Sequence, residues 1–396
     1  MTYGSARMKE PNVPNRKTLL TLPTPCLVLD RAKLRRNIAR MKAACARTGV
    51  KLRPHLKTAK SIEVARLFDG PDSPGIAVST LLEAEYFASN GIRDIQYAVG
   101  ITPDKLDRVA AIQREGARVT LITDDLGTAQ AICRHATEAN AVFHVQIEID
   151  CGERRSGVEP DSPLVLEIAR TLAGDENVVF DGVMTHAGHS YGCRSLKEIE
   201  AVAEAERLAV VTAAERIRAT GIPCPTVSVG SSPTALHARH LEGVTETRAG
   251  VFMFGDVFQA QILTCDLEDL AVSVLTEVTG HRADLRHMTV DAGALAMSKD
   301  RSTENVSNDV GFGLAADIDG SVYSPQLTIA RVYQEHGLIP VALPHALDDF
   351  TIGSRLRIYP NHVCMTASMY PRYFVVDSEE SDGIEVVEEW KRISGW

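Results

Sequence analysis

A parallel (β/α)8 barrel followed by a β-rich second domain is the fold that this 396-residue sequence predicts. Three observations predict it. Eight short, β-branched apolar runs alternate with longer amphipathic stretches between Leu34 and about Asp266, an interval close to the roughly 250 residues of such a barrel. Beyond about Leu267 the long helical patterns stop, and strand-like segments follow one another across polar and Gly-containing turns. The composition, 44% hydrophobic and 24% charged, is that of a globular chain with enough apolar residues for a large core.

The elements follow in order. CLVLD, Cys26–Asp30, precedes the barrel pattern and is expected to pair with the second domain. The eight runs fall near Val50–Arg53, Gly75–Ser79, Asp94–Val99, Arg118–Thr123, Val142–Asp150, Phe180–Thr185, Thr226–Gly230 and Thr247–Phe254. Amphipathic segments separate them, such as LLEAEYFASNG after the second and LKEIEAVAEAERLAVVTAAERIRATG after the sixth. An open doubly wound sheet uses the same alternation, and the count of eight favours the barrel. After Leu267, the stretches AVSVLTEVTG, HMTVDAG, SVYSPQLTIARVYQ, RLRIYPNHVC and RYFVV read as strands. The expected boundaries are 31–267 for the barrel, with 1–30 and 268–396 forming the β domain.

Charge and cysteine usage exclude several classes of function. The net charge is −10, from 42 Lys+Arg against 52 Asp+Glu, and there is no basic run, so nucleic acid and anionic membranes are poor partners. No apolar stretch approaches the roughly 20 residues that span a bilayer, and MTYGSARMKEPNVPNRKTLL lacks the apolar core of a secretory signal. The eight cysteines, at 26, 45, 133, 151, 193, 224, 265 and 364, form no C-x-x-C pair. Reduced thiols in a cytoplasmic enzyme are the expected state.

Catalytic groups of a parallel barrel lie just beyond the carboxyl ends of its strands. The first run is followed by RPHLKTAK, which places Lys57 after a turn constrained by Pro54 and His55. The second is followed by Ser79 and Thr80, and the fifth by EIDCGERRSGV with Arg155. The sixth leads to THAGHSYG, with His186, His189 and Tyr191; the seventh to VGSSPT, with Gly230 and Ser231; the eighth contains RAGVF. Singly these are a solvated rim lysine, a salt-bridging arginine and ordinary turns. Together they are an amine able to form a Schiff base and loops whose backbone N–H groups could cradle a phosphate. Pyridoxal phosphate requires that combination.

A second signal lies in PNHVC. On an extended strand His362 and Cys364, two apart, would point to one face. Imidazole and thiolate together suit Zn²⁺, and two ligands leave positions open as in a catalytic site. From the spacing alone, a buried cysteine beside a hydrogen-bonded histidine is the favoured reading. QEHG, Gln334–Gly337, is either an outer neighbour of a metal or a turn.

As an ordered set, RPHLKTAK, VSTLLEAEYF, EIDCGERRSGV, THAGHSYG, SVGSSPTAL, GVTETRAGVFMFGD, VDAGALAMSKD, QEHG and PNHVC resemble one family across almost the whole chain. It is the fold-type III pyridoxal-phosphate enzymes of the D-threonine aldolase and D-serine dehydratase group. Within that group the sequence is most like the D-threo-3-hydroxyaspartate dehydratase branch, with the D-serine dehydratases nearby. The resemblance implies an alanine-racemase-like barrel with a C-terminal β domain, and a homodimer. It implies that Lys57 carries the cofactor's internal aldimine. It further implies cofactor contacts from His55, Ser79, Arg155, His186 and Tyr191, and a phosphate site at Gly230, Ser231, Gly250 and Val251. His362 and Cys364 would bind a divalent metal, zinc in the serine dehydratases and Mn, Mg or Co in relatives.

Three positions depart from the family pattern. The lysine motif is usually KTHK or KTSK, and here Ala59 stands third. Phe252 replaces an aromatic hydroxyl on the phosphate side. Cys364 stands where aldolases of the group usually place a carboxylate. The expected reaction on this basis is elimination of water from a D-3-hydroxy amino acid, giving a 2-oxo acid and ammonia. The alternative is retro-aldol cleavage to glycine and an aldehyde. A carboxylate-bearing substrate would want a cation, for which Arg154, Arg194 and Arg239 are candidates.

Overall fold

The structure is a computed structural model describing residues 17–70, 73–306 and 308–396. Residues 1–16, assigned above to the β domain and to the search for a leader, lie outside the described residues.

Eight parallel strands form one sheet, and they correspond to the eight runs. They are Lys51–Leu52, Ile76–Val78, Asp94–Gly100, Arg118–Thr123, Phe143–Ile149, Val178–Thr185, Thr226–Val229 and Glu246–Thr247. In chain order the first pairs with the eighth, and the second to seventh each pair with the next. A parallel bridge from His55 to Ala77 joins the first strand's extension to the second and brings the sheet round to meet itself. The eighth run was read too long. Only Glu246–Thr247 is strand, and Val251–Met253 is a 3-10 turn. Gly250 lies between the two: a Cβ there would sit 2.6 Å from the His55 carbonyl, so the chain passes too close for a side chain.

Helices between the strands start where their caps dictate. Asp30 accepts from the Ala32 and Lys33 amides to begin Arg31–Thr48, which Gly49 ends at φ 72°. Asp125 caps Leu126–Ala139, Ser162 caps Pro163–Ala173 and Ser195 caps Leu196–Arg218 through hydrogen bonds to the first-turn amides. The apolar face of each helix packs on the barrel wall.

The second sheet is mixed. Cys26–Asp30 pairs antiparallel with Val272–Arg282 and parallel with Arg372–Val376. Arg355–Pro360 pairs with Val272–Arg282 and with Gly313–Ala316. Two readings of this region change. SVYSPQLTIARVYQ is mostly irregular, with strand only at Arg331–Val332, whereas Gly313–Ala316 is a strand that the polar sequence around it concealed. One hydrophobic cluster runs from Leu27 and Leu29 through Val145 and Val227 to Ile358 and Val375, so barrel and sheet share a core. Among the described residues all eight cysteines are free thiols, and no helix is long and apolar enough to cross a membrane.

Candidate active site

A cavity of about 780 Å³ opens at the carboxyl ends of the barrel strands, against the second sheet. Of the twelve site residues expected from sequence, eleven line it: His55, Lys57, Ser79, Arg155, His186, Tyr191, Ser231, Gly250, Val251, His362 and Cys364. Gly230 stands just behind the wall. Its carbonyl meets His186 Nδ1, and a Cβ on it would lie 1.9 Å from the Arg248 carbonyl.

The Lys57 turn is fixed from both sides. Ahead of it, the His55 amide donates to the Ala249 carbonyl at 2.8 Å and the Leu56 amide to Ala77 at 2.9 Å. Behind it, Tyr373 Oη donates to the Ala59 carbonyl at 2.7 Å, Arg392 Nη2 to Thr58 at 3.3 Å, and the Ile393 amide to Lys60 at 3.0 Å. Lys60 is committed elsewhere, to Glu83 at 3.1 Å and the Gly395 carbonyl at 3.2 Å. Lys57, by contrast, is exposed into the cavity.

His55 Nε2 and Ser79 Oγ are 2.9 Å apart. Burial, and then the charges of Lys57 and Arg248, hold His55 well below the ordinary imidazole value. Burial likewise brings His186 to about 3, with Arg155, Lys57 and Arg248 adding to it against the opposing Gly230 hydrogen bond. Both rings are therefore neutral at pH 7. Below about 6.5, the ordinary histidine value, the unfolded chain binds protons that the folded one refuses, so acidification lowers stability. The expected slope is up to about 1.4 kcal/mol per pH unit for each ring. Denaturant titrations at about pH 7 and about pH 5 measure it, and His186→Asn should flatten the dependence.

Glu206, fully buried on the helix Leu196–Arg218, ties two of the loops together. Its Oε1 accepts from the Ala187 amide at 3.1 Å and the Gly230 amide at 2.9 Å. Burial raises its carboxyl above the usual range. Glu206→Leu leaves both amides without their acceptor, at a cost of about 2–6 kcal/mol from the price of two buried unpaired donors. Glu206→Gln keeps an acceptor oxygen and should cost much less in thermal unfolding.

At the loop after the seventh strand, Ser231 Oγ contacts Ser190 Oγ and Thr234 Oγ1, each at 2.8 Å, and Ser232 Oγ accepts from the Phe252 amide at 3.1 Å. Phe252 lies beside this loop. Its ring turns into the core, edge-on to Phe68 at 6.3 Å, while the Tyr191 phenol stands in the cavity wall against Ser232. Arg155 Nη1 lies 3.6 Å from Glu153 Oε1, and Glu153 Oε2 accepts from the Gly188 amide at 3.0 Å.

His362 and Cys364 converge, by a route other than the one expected. The strand ends at Pro360; His362 is the N-cap of the short helix Val363–Ala367, and Cys364 is that helix's second residue. Asp256 sets the helix start by accepting from the Val363 amide at 3.0 Å. The two side chains lie close enough for each to shift the other's proton affinity. Burial opposes charge on both. Yet the Asp300 carboxylate, 2.6 Å from His362 Nδ1, and the Cys364 sulfur raise the imidazole to about 11. His362 and Lys57 in turn pull the Cys364 thiol below its usual value. Among the described residues no group of three or more His, Cys, Asp or Glu side chains is arranged for a metal, so this is an open two-residue set. QEHG is a turn: the Tyr333 amide donates to the His336 carbonyl, and Glu335 and His336 are exposed.

Arg154, Arg194 and Arg239 do not line the cavity. Arg194 Nη1 bonds the Tyr191 and Cys193 carbonyls, and Arg239 pairs with Glu200. Sequence reasoning missed Arg248, Asp300 and Thr58. Arg248 is buried in the cavity floor, on the Thr185 carbonyl at 2.5 Å and on Ser228 Oγ. An arginine opening an apolar run was its only signal.

Two family models match the chain: "Alanine racemase, N-terminal domain" over residues 29–257 and "Putative serine dehydratase domain" over residues 271–376. The chain is 45% identical to D-threo-3-hydroxyaspartate dehydratase of Delftia sp. strain HT23, covering 96% of this chain and 99% of that one. A solved structure of D-threo-3-hydroxyaspartate dehydratase, a Cys→Ala variant in the metal-free form, superposes with a TM-score of 0.91 at 44% identity, over 96% of this chain and all of the other. A His→Ala variant, altered two residues earlier, superposes with the same TM-score and identity over 96% and 97%. The chain belongs to the fold-type III pyridoxal-phosphate enzymes of the D-threonine aldolase and D-serine dehydratase group.

Proposed function

We propose that the protein is a lyase that eliminates water from a D-3-hydroxy amino acid, of the D-threo-3-hydroxyaspartate type, to give a 2-oxo acid and ammonia. The observation that carries this is the meeting of Lys57 and the His362–Cys364 pair in one cavity, beside the 45% identity to a dehydratase. The residues suit pyridoxal phosphate. A free amine faces loops at 230–232 and 249–251 whose glycines have no room for a Cβ, and Ser231, Ser232, Gly250 and Val251 would hold the phosphate. They also suit a divalent cation, since a paired imidazole and thiol with open positions is a catalytic donor set. The solved Cys→Ala and His→Ala relatives, altered two positions apart as His362 and Cys364 are, support the same pair.

When bound, the cofactor supplies a sink for charge at the substrate Cα and the cation a Lewis acid for the departing hydroxyl. The chain does the rest. Lys57 Nζ, freed once substrate is seated, removes the proton from Cα. His55 and His186, neutral in this setting, line the same space without adding positive charge beside that amine. Arg155 and Tyr191 fix the orientation of what binds between them, and the second sheet closes the cavity on one side and excludes water.

Product analysis tests the reading. Protein replete in cofactor and divalent cation is incubated with D-serine, D-threonine and both D-3-hydroxyaspartate diastereomers. Ammonia with a 2-oxo acid is the expected result. Glycine with an aldehyde would replace the dehydratase by an aldolase.

A further inference from the structure

His362 and Cys364 stand on a short helix beyond a strand of the second sheet, whereas Lys57 stands on a turn of the barrel. A cation on the pair can act on a substrate whose Cα proton Lys57 removes only if both ligands keep a fixed orientation relative to that turn. Two side chains outside the pair are placed to impose this. Asp300 Oδ2 is 2.6 Å from His362 Nδ1, and its other oxygen accepts from Ser302 Oγ at 3.0 Å. A ring nitrogen bonded to a carboxylate fixes the tautomer and leaves Nε2 as the ligating atom. Nε2 would then be free to hold a cation. The second is Thr58, fully buried and next in sequence to Lys57. Its Oγ1 is 2.9 Å from Cys364 Sγ, which is that hydroxyl's one hydrogen-bond partner among the described residues.

We propose that Asp300 and Thr58 are positioning residues for the cation pair. Asp300 sets the tautomer and ring plane of His362. Thr58 donates to the Cys364 sulfur and ties it to the backbone of the Lys57 turn, so that cation and amine share one mounting. This rests on reading His362 and Cys364 as cation ligands.

The test is Co²⁺ titration of cofactor-loaded protein, following the cobalt visible bands and the thiolate-to-cobalt charge-transfer band, with the cofactor's own absorption and thermal unfolding as checks of folding. Asp300→Ala should weaken Co²⁺ binding by about 10–100-fold, the usual loss when an outer partner of a ligand is removed. Asp300→Asn keeps an oxygen for Nδ1–H and should lose far less. Thr58→Val should shift the charge-transfer band and weaken binding, and Thr58→Ser should restore both. If Thr58→Val does not fold, the Ser variant and the two Asp300 variants still decide the matter. Unaltered affinity and spectrum in Asp300→Ala and Thr58→Val would overturn the proposal. So would complete loss of binding in Asp300→Asn, which would make Asp300 a ligand. Absence of Co²⁺ uptake by the unaltered chain would instead remove the ligand pair, and the positioning roles with it.

Discussion

Lys57→Ala should lower turnover of a D-3-hydroxy amino acid by about 10⁴-fold, the upper range for loss of a positioned general base. A second consequence does not depend on turnover: if Lys57 is the covalent anchor proposed above, the cofactor should wash out on gel filtration. The neighbouring amine does not offer a substitute. Lys60 is held by Glu83 and the Gly395 carbonyl, and its backbone lies at φ 47°, so it is turned away from the cavity. Lys57→Arg keeps the charge but not a deprotonable amine, and should fail equally. A variant that retained the coloured cofactor through gel filtration would show that the anchor lies elsewhere.

Removal of the divalent cation should have an effect of similar size with the opposite signature. A Lewis acid on a poor leaving group is worth several kcal/mol, so a chelated sample should lose about 10²–10⁴-fold in elimination. It should keep its cofactor, because the proposed ligand pair and the proposed phosphate loops come from different parts of the fold. Cys364→Ala should reproduce the chelated state and resist rescue by added Zn²⁺, whereas the chelated unaltered protein should recover with it. The two experiments separate the halves of the site: one variant loses colour, the other keeps colour without turnover.

Most of the site could be read from the sequence because parallel barrels gather the residues after each strand on one rim. Lys57, Arg155, His186 and Ser231 are far apart in sequence yet meet for that topological reason alone. The residues that escaped notice are those whose role depends on packing between elements. Asp300 follows a short helix in an irregular stretch, and nothing in VDAGALAMSKD says that its carboxylate meets His362. Glu206 sits in the middle of a long amphipathic helix, where a glutamate is ordinarily a solvated charge. The His362–Cys364 pair was found through strand periodicity although no strand is there. Asp256, a hundred residues earlier, starts a helix at that point and aims both side chains the same way. Local spacing was a sound guide to which residues converge and a poor guide to the backbone that carries them.

The strap across the lysine turn has a consequence for the order in which the protein is made. Arg392 reaches Thr58 from 334 positions further along the chain. At about 5–20 residues per second, a ribosome adds that span in roughly half a minute. The barrel strands are all synthesised well before then, so a nascent chain can assemble its wall while the turn bearing Lys57 still lacks its final hydrogen bonds. The turn bearing Lys57 is completed only after residues 392 and 393 have emerged, long after the barrel strands.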